Sequence, residues 1–322
     1  MQKLFASFLI TILLTPPMII CEVPAGTAQT SEQHFPVLAI PGQNGNIRAP
    51  GNIKKLMGDE KTVVTTVTTP LGRWWDSPDF GQANCVRHFN QATAAQSGPY
   101  LVYAESQGTA TALELAAAEK PIKALVLEAV LASGNSAIYH TASGRLMPHF
   151  NKLARRHNSY YWLPYLARWR YPLYSPFGAQ PIKSIAKIPT TLPIIIVHAK
   201  GDPQLPYSGA CALYYGLRER GNKNVYLISK ESDEHTKILH NPHDFRIVQR
   251  ILKNHGLLQS NLVVGDLTAY QPNHRPFKQQ YDLLMHKEQV HATIGSVLKT
   301  GGVLGACALL YHKLKKKKPL VV

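Results

Sequence analysis

A serine at position 106 stands in Ala104-Glu105-Ser106-Gln107-Gly108, between a short apolar run (100–103) and an alanine-rich stretch (109–119). That setting reads as strand, sharp turn and helix, with the serine at the tip of the turn. Nucleophilic chemistry by a serine needs its hydroxyl held clear of its own backbone, beside a helix N-terminus. Small residues two before and two after let so tight a turn close without clashes. The pattern small-x-Ser-x-Gly recurs by chance, and its weight comes from the partners available further along the chain. A serine hydroxyl needs a base, and the base needs an orienting carboxylate. Asp202 lies in Gly201-Asp202-Pro203-Gln204-Leu205-Pro206, just after the apolar run 192–198. His235 lies in Glu231-Ser232-Asp233-Glu234-His235-Thr236, just after the run 224–229. Each leaves the carboxyl end of a predicted strand, where open α/β sheets build their sites. Rivals exist for both roles. Glu128, near the end of the strand after the 109–119 helix, is a second candidate acid, and His240 and His243 are second candidate bases. Asp233, His235, His240 and His243 match no familiar metal-ligand spacing, so no metal is expected.

The elements that must position these residues alternate. Residues 35–40 form a short apolar strand that ends in Pro41-Gly42-Gln43-Asn44-Gly45, a glycine-rich loop. Residues 61–69, rich in valine and threonine, read as a strand, and 82–95 has helical composition. Strands come next at 100–105, 122–131, 192–198 and 224–229, and helices at 108–119, 206–220 and 243–255. Alternation of this kind predicts an α/β class with a mostly parallel sheet covered by helices on both faces. It breaks between 131 and 189, a stretch carrying Tyr160, Tyr161, Trp162, Tyr165, Trp169 and several arginines. That is too long for an ordinary connection, and a helical cap inserted at about 135–187 is expected.

Taken together, the elbow 104–108, the acid turn 201–206 and the histidine followed by Ile238-Leu239 resemble the α/β-hydrolase superfamily, over roughly 35–257. The resemblance implies Ser106 as nucleophile, His235 as general base and then acid, and Asp202 as its partner. It also implies an oxyanion hole from two backbone N–H groups, those of Gln107 and of Gln43. It implies no cofactor. The chain departs from the usual pattern in having Ala104 for the first elbow glycine and Pro41-Gly42 where many oxyanion loops begin His-Gly. Once a signal peptide is removed there is no room before residue 35 for the first two strands of the full sheet, so the sheet is expected to be reduced at its N-terminal edge.

The two ends read as targeting segments. Residues 1–28 have a basic start, a short apolar core and small residues before a cut, and are expected to be a signal peptide or N-terminal anchor. A hydrolase domain is expected over 33–258, a polar linker over 259–290, a transmembrane helix over 291–312 and a basic cytoplasmic tail over 313–322. The chain has 322 residues and a formal net charge of +16. That charge raises the question of nucleic acid, but its clusters lie at the lysine-rich end and in the aromatic cap, with no nucleic-acid motif. A membrane surface explains both clusters. Of the four cysteines, Cys85 and Cys211 lie in the body, as two free thiols or one bridge. The sequence therefore leads to a membrane-anchored, exported serine hydrolase acting on a small-molecule or lipid ester or thioester. The alternative is an inactive fold that serves as a binding or scaffold module.

Overall fold

The strand Ile194–Ala199 shows how the sequence dictates the sheet. It begins Ile194-Ile195-Ile196-Val197, β-branched residues that are stiff at χ1 and favour extended backbone, and all six residues are buried. A strand apolar on both faces needs cover on both, which a parallel sheet with crossover helices supplies. In the computed structural model, β1 (Val37–Ile40), β2 (Val64–Thr66), β3 (Tyr100–Glu105), β4 (Ile122–Glu128), β5 (Ile194–Ala199) and β6 (Val225–Lys230) form one sheet. Its order is β2-β1-β3-β4-β5-β6, and every neighbouring pair is parallel. The helices are α1 (Pro50–Met57), α2 (Gln107–Ala117), α3 (Gly134–Thr141), α4 (Pro181–Ser184), α5 (Tyr207–Glu219), α6 (Pro242–Asn254) and α7 (Lys278–Lys316). The structure describes residues 35–42, 50–57, 63–66, 90, 93–94, 98–141, 164–165, 174–177, 180–236, 241–258 and 261–316. All belong to the unit His34–Val322. The expected N-terminal segment 1–28, Gln43, His240, Cys85 and most of the expected cap at 135–187 lie outside the described residues.

Alternate residues along each strand feed two cores. Leu38, Val102, Leu125, Leu127, Ile194 and Ile196 meet Leu113 of α2 and Leu213 and Leu217 of α5 on one face. Leu101, Val126, Ile195 and Val197 meet Ile53 and Leu56 of α1 and Ile247 and Ile251 of α6 on the other. Each such side chain contributes about 1.5–3 kcal/mol on burial, so the sheet is held from both sides.

The strand order sets where a site can form. From β1 the chain steps outward to β2 and then returns across the sheet to β3 on the other side. In open α/β sheets, the carboxyl ends of strands on either side of such a switch point are where ligands bind. Gly42 follows β1 and Ser106 follows β3, so both stand at this switch point.

Helix α7 changes the reading of the C-terminal third. The stretch expected to be a polar linker is helical from Lys278 onward. Tyr281, Leu284, Glu288, His291 and Gly295, spaced three and four apart, form its inward stripe, with Leu284, Glu288, His291 and Gly295 buried. Glu288 accepts hydrogen bonds from Ser133 Oγ at 2.5 Å and Asn135 Nδ2 at 2.8 Å, and its carbonyl takes Lys183 Nζ at 3.0 Å. Beyond Gly295, residues 296–301 are all exposed. The segment expected to span a membrane, 291–312, thus begins packed against the body, with His291 beside Tyr165 and Gly295 against Phe177. Among the described residues, no helix is long and apolar enough to cross a membrane.

Candidate active site

The turn between β3 and α2 holds Ser106 at φ 51, ψ −119. For a residue with a Cβ this is a sparsely populated region costing on the order of 1–3 kcal/mol, and it persists only where the surroundings over-determine it. Here they do. The Ser106 N–H donates to the Glu128 carbonyl at 2.8 Å. The Ser106 carbonyl accepts from Thr109 N at 3.1 Å and from Thr109 Oγ1 at 2.6 Å. The same Thr109 oxygen accepts the Leu131 N–H at 2.8 Å, tying the elbow to the chain that leaves β4. Gly108 completes the turn, because a Cβ there would lie 2.4 Å from the Ile40 carbonyl oxygen and 2.6 Å from that of Pro41.

Asp202 and His235 reach the serine from further along the sheet. β6 lies three strand spacings from β3, roughly 14 Å, and the five residues from Lys230 to His235 can span up to about 17 Å. The acid and histidine loops are tied as they leave the sheet: Lys200 N donates to the Lys230 carbonyl and Gly201 N to the Ser232 carbonyl, each at 2.8 Å. His235 Nδ1 then faces Asp202 Oδ2 at 2.7 Å, and its Nε2 faces Ser106 Oγ at 2.9 Å. A carboxylate opposite Nδ1 assigns the proton to that nitrogen and leaves Nε2 as an acceptor for the serine hydroxyl. Asp202 is buried, and its other oxygen, Oδ1, accepts from Gln204 N at 2.7 Å and Leu205 N at 3.0 Å. Burial alone would raise its pKa. The hydrogen bond and charge of His235, together with the two backbone N–H groups, outweigh burial and hold the carboxyl below its ordinary value.

The rival residues point elsewhere. The Glu128 carboxylate is buried and accepts the Tyr103 hydroxyl at 2.5 Å; Glu105 accepts the same hydroxyl at 2.9 Å. Burial, with these two carboxylates, pushes the Tyr103 phenol well above its ordinary value, so it stays a donor. His243 is exposed in the first turn of α6, where its N–H donates to Asn241 Oδ1 at 2.9 Å, and Asp233 is exposed. Among the described residues, no group of His, Cys, Asp and Glu side chains is arranged to hold a metal ion. Cys211 is a buried free thiol on α5, pushed up to about 11 by burial.

Of the two expected oxyanion donors, Gln43 lies outside the described residues. Gln107 opens α2, and the first N–H groups of a helix have no acceptor within it. Gly42, one residue before Gln43, passes so close that a Cβ on it would lie 3.1 Å from Ser106 Cβ and 3.7 Å from Ser106 Oγ. Sequence reasoning passed over Thr109 and His198. The imidazole of His198 lies 3.8 Å from Asp202 Oδ2, on the side away from the solvent. The signal for it was present: a lone histidine closing a run of isoleucine and valine, four residues before the acid.

A parallel sheet with this switch point, a serine elbow after its third strand, and acid and histidine loops leaving successive later strands is the α/β-hydrolase fold. Solved structures of that fold are similar to this chain at low identity. An esterase of Pyrococcus furiosus matches with a TM-score of 0.46 and 16% identity, over 69% of this chain and 84% of that one. A monoacylglycerol lipase of Paleococcus ferrophilus matches with a TM-score of 0.46 and 15% identity, over 69% and 96%. An acylaminoacyl peptidase of Pyrococcus horikoshii matches with a TM-score of 0.49 and 13% identity, over 75% of this chain and 40% of that one. No family model and no curated protein matches the chain.

Proposed function

We propose that this protein is a serine hydrolase that cleaves an ester or thioester through an acyl-enzyme on Ser106. The observation that carries the reading is the continuous line Ser106 Oγ, His235, Asp202, at 2.9 and 2.7 Å, on a strained elbow at the sheet's switch point. In the forward step, Ser106 Oγ bonds to the substrate carbonyl carbon as its proton passes to His235 Nε2. Asp202 Oδ2 stabilises the imidazolium through Nδ1–H. The negative charge moves to the carbonyl oxygen, which the Gln107 N–H and the Gln43 N–H would hold. Such donors are worth roughly 3–4 kcal/mol each in the transition state. Collapse of the intermediate expels the alkoxide or thiolate, which takes the proton from Nε2. Water then repeats the sequence with His235 as base, releasing the acid and restoring Ser106.

A fluorophosphonate probe tests this directly. Wild type should be labelled on Ser106, and Ser106→Ala should lose the label. An intact, folded wild type that takes up no probe favours the inactive-scaffold alternative. Export and membrane attachment enter the proposal on the sequence alone: the apolar segment in 1–28, the apolar run in 291–312, and the lysines after it. The protein should then be protected from protease in sealed vesicles with the cytoplasmic face outward. Digestion of the body from that face would overturn this part of the proposal.

A further inference from the structure

We propose that His198 is a positioning residue for the triad acid: it fixes the turn that aims Asp202 at His235. The inference rests on the serine-hydrolase reading of Ser106. His198 is the penultimate residue of β5 and is 1% exposed, a polar ring in a strand otherwise built of isoleucine, valine and alanine. Both of its nitrogens are used. Nδ1 lies 3.0 Å from the Val130 N–H, so it accepts and carries no proton. The proton therefore sits on Nε2, which donates to the Leu205 carbonyl at 3.1 Å. Only the neutral ring with this one tautomer makes both bonds. Burial, the largest influence on it, pushes its pKa below the ordinary value and keeps it in that form.

Leu205 is where this matters. Its N–H donates to Asp202 Oδ1, and its carbonyl is the group His198 holds. An unbroken series therefore runs from the chain leaving β4, through Val130 N–H and the imidazole, to Leu205 and on to the Asp202 carboxylate. The far oxygen of that carboxylate receives His235 Nδ1–H. The chain leaving β4 is also where Thr109 anchors the elbow, through the Leu131 N–H. His198 thus refers the acid turn to the same segment that fixes the nucleophile. The same turn is also held from α3, where His140 Nε2 lies 3.1 Å from the Asp202 carbonyl and Thr141 Oγ1 donates to the Gln204 carbonyl at 3.1 Å, but neither of these reaches the Leu205 carbonyl.

Two conservative variants separate the halves of this bridge. In His198→Gln the amide nitrogen can reach the Leu205 carbonyl, whereas in His198→Asn the amide oxygen can take the Val130 N–H but the side chain stops short of Leu205. Kinetics on a soluble p-nitrophenyl ester, melting temperature and fluorophosphonate labelling are measured together. Outer partners of site residues typically contribute about 10–100-fold. His198→Asn should lose about that much in kcat, with KM within about threefold of wild type. His198→Gln should keep kcat within about fivefold, although both melt lower. A kcat for folded His198→Asn equal to wild type overturns the positioning role, as does an equal loss in both variants. If His198→Asn does not fold, His198→Gln decides: a fall in kcat beyond about tenfold overturns the role. A wild type that is neither labelled nor active overturns the hydrolase reading itself, and the positioning role with it.

Discussion

Substituting Gly108 by alanine tests whether the elbow geometry governs the chemistry. A Cβ at this position would lie 2.4 Å from the Ile40 carbonyl oxygen, 2.6 Å from the Pro41 carbonyl oxygen and 2.9 Å from the Ile40 carbonyl carbon. Ordinary contact is near 3.5 Å, so the start of α2 and the end of β1 must separate by roughly 1 Å. Every obstructing atom is backbone, so no side-chain rotation relieves the clash. Gly108 is two residues from Ser106 and one from Gln107, and the displacement carries both the hydroxyl and the Gln107 N–H. A misplacement of about 1 Å costs on the order of 100-fold in rate, about 2.7 kcal/mol in the barrier. Overpacking should also lower stability by about 1–3 kcal/mol. Gly301→Ala is the control. It sits in the exposed part of α7, with nothing within 4 Å of an added Cβ, and should be neutral or stabilising by up to about 1 kcal/mol. The rate of fluorophosphonate labelling and the melting temperature are compared across wild type, Gly108→Ala and Gly301→Ala. Labelling of Gly108→Ala within twofold of wild type would refute the claim that this close approach sets the position of the nucleophile.

Asp202→Asn should lower kcat about 10³–10⁴-fold with little change in KM, because the amide no longer holds His235 in the required tautomer; steady-state kinetics check this. The same variant should show a distinct dependence of stability on pH. The Asp202 carboxyl is held below its ordinary value in the fold, so its contribution is present above about pH 4 and is lost as pH falls through the folded value. Denaturant midpoints should therefore show the gap between wild type and Asp202→Asn narrowing in acid, and a gap that does not change with pH would contradict the assignment. Glu288→Ala removes the shared acceptor of Ser133 and Asn135 and should destabilise the body by about 2–4 kcal/mol, read from urea unfolding. Deleting the chain from 296 onward, where the described residues of α7 (296–301) are exposed, should leave the melting temperature within about 2 °C, whereas deleting from 278 should lower it by more than about 10 °C.

Much of the fold is legible locally. The β-branched run at 194–197 reads as a buried strand and the alanine-rich stretch after Ser106 as a helix, and their alternation implies a parallel sheet. The C-terminal helix was legible only in part: the apolar run reads as a helix over 291–312, whereas the helix begins at Lys278, inside the stretch read as a linker. In that stretch its inward stripe includes Glu288, so hydropathy reads it as a polar linker, while Ser133 and Asn135 supply the partners that let the carboxylate be buried. His198 was passed over for a related reason. Its value lies in two backbone groups, Val130 N–H and Leu205 C=O, whose proximity depends on the pairing of β4 with β5.

By itself, the sequence determined the strand and helix types, the tight turn at Ser106, and the order of serine, acid and histidine along the chain. These come from short-range sterics and from the period of apolar residues. Tertiary structure decided which groups meet. Glu128 ends β4 and Asp202 stands in the loop after β5, and His235 and His243 both lie beyond β6. The sheet order and the reach of the 231–235 loop bring Asp202 and His235 to Ser106, while Glu128 turns to Tyr103 and His243 to solvent. Bridging roughly 14 Å between strands is a property of the folded sheet, and no local pattern encodes it.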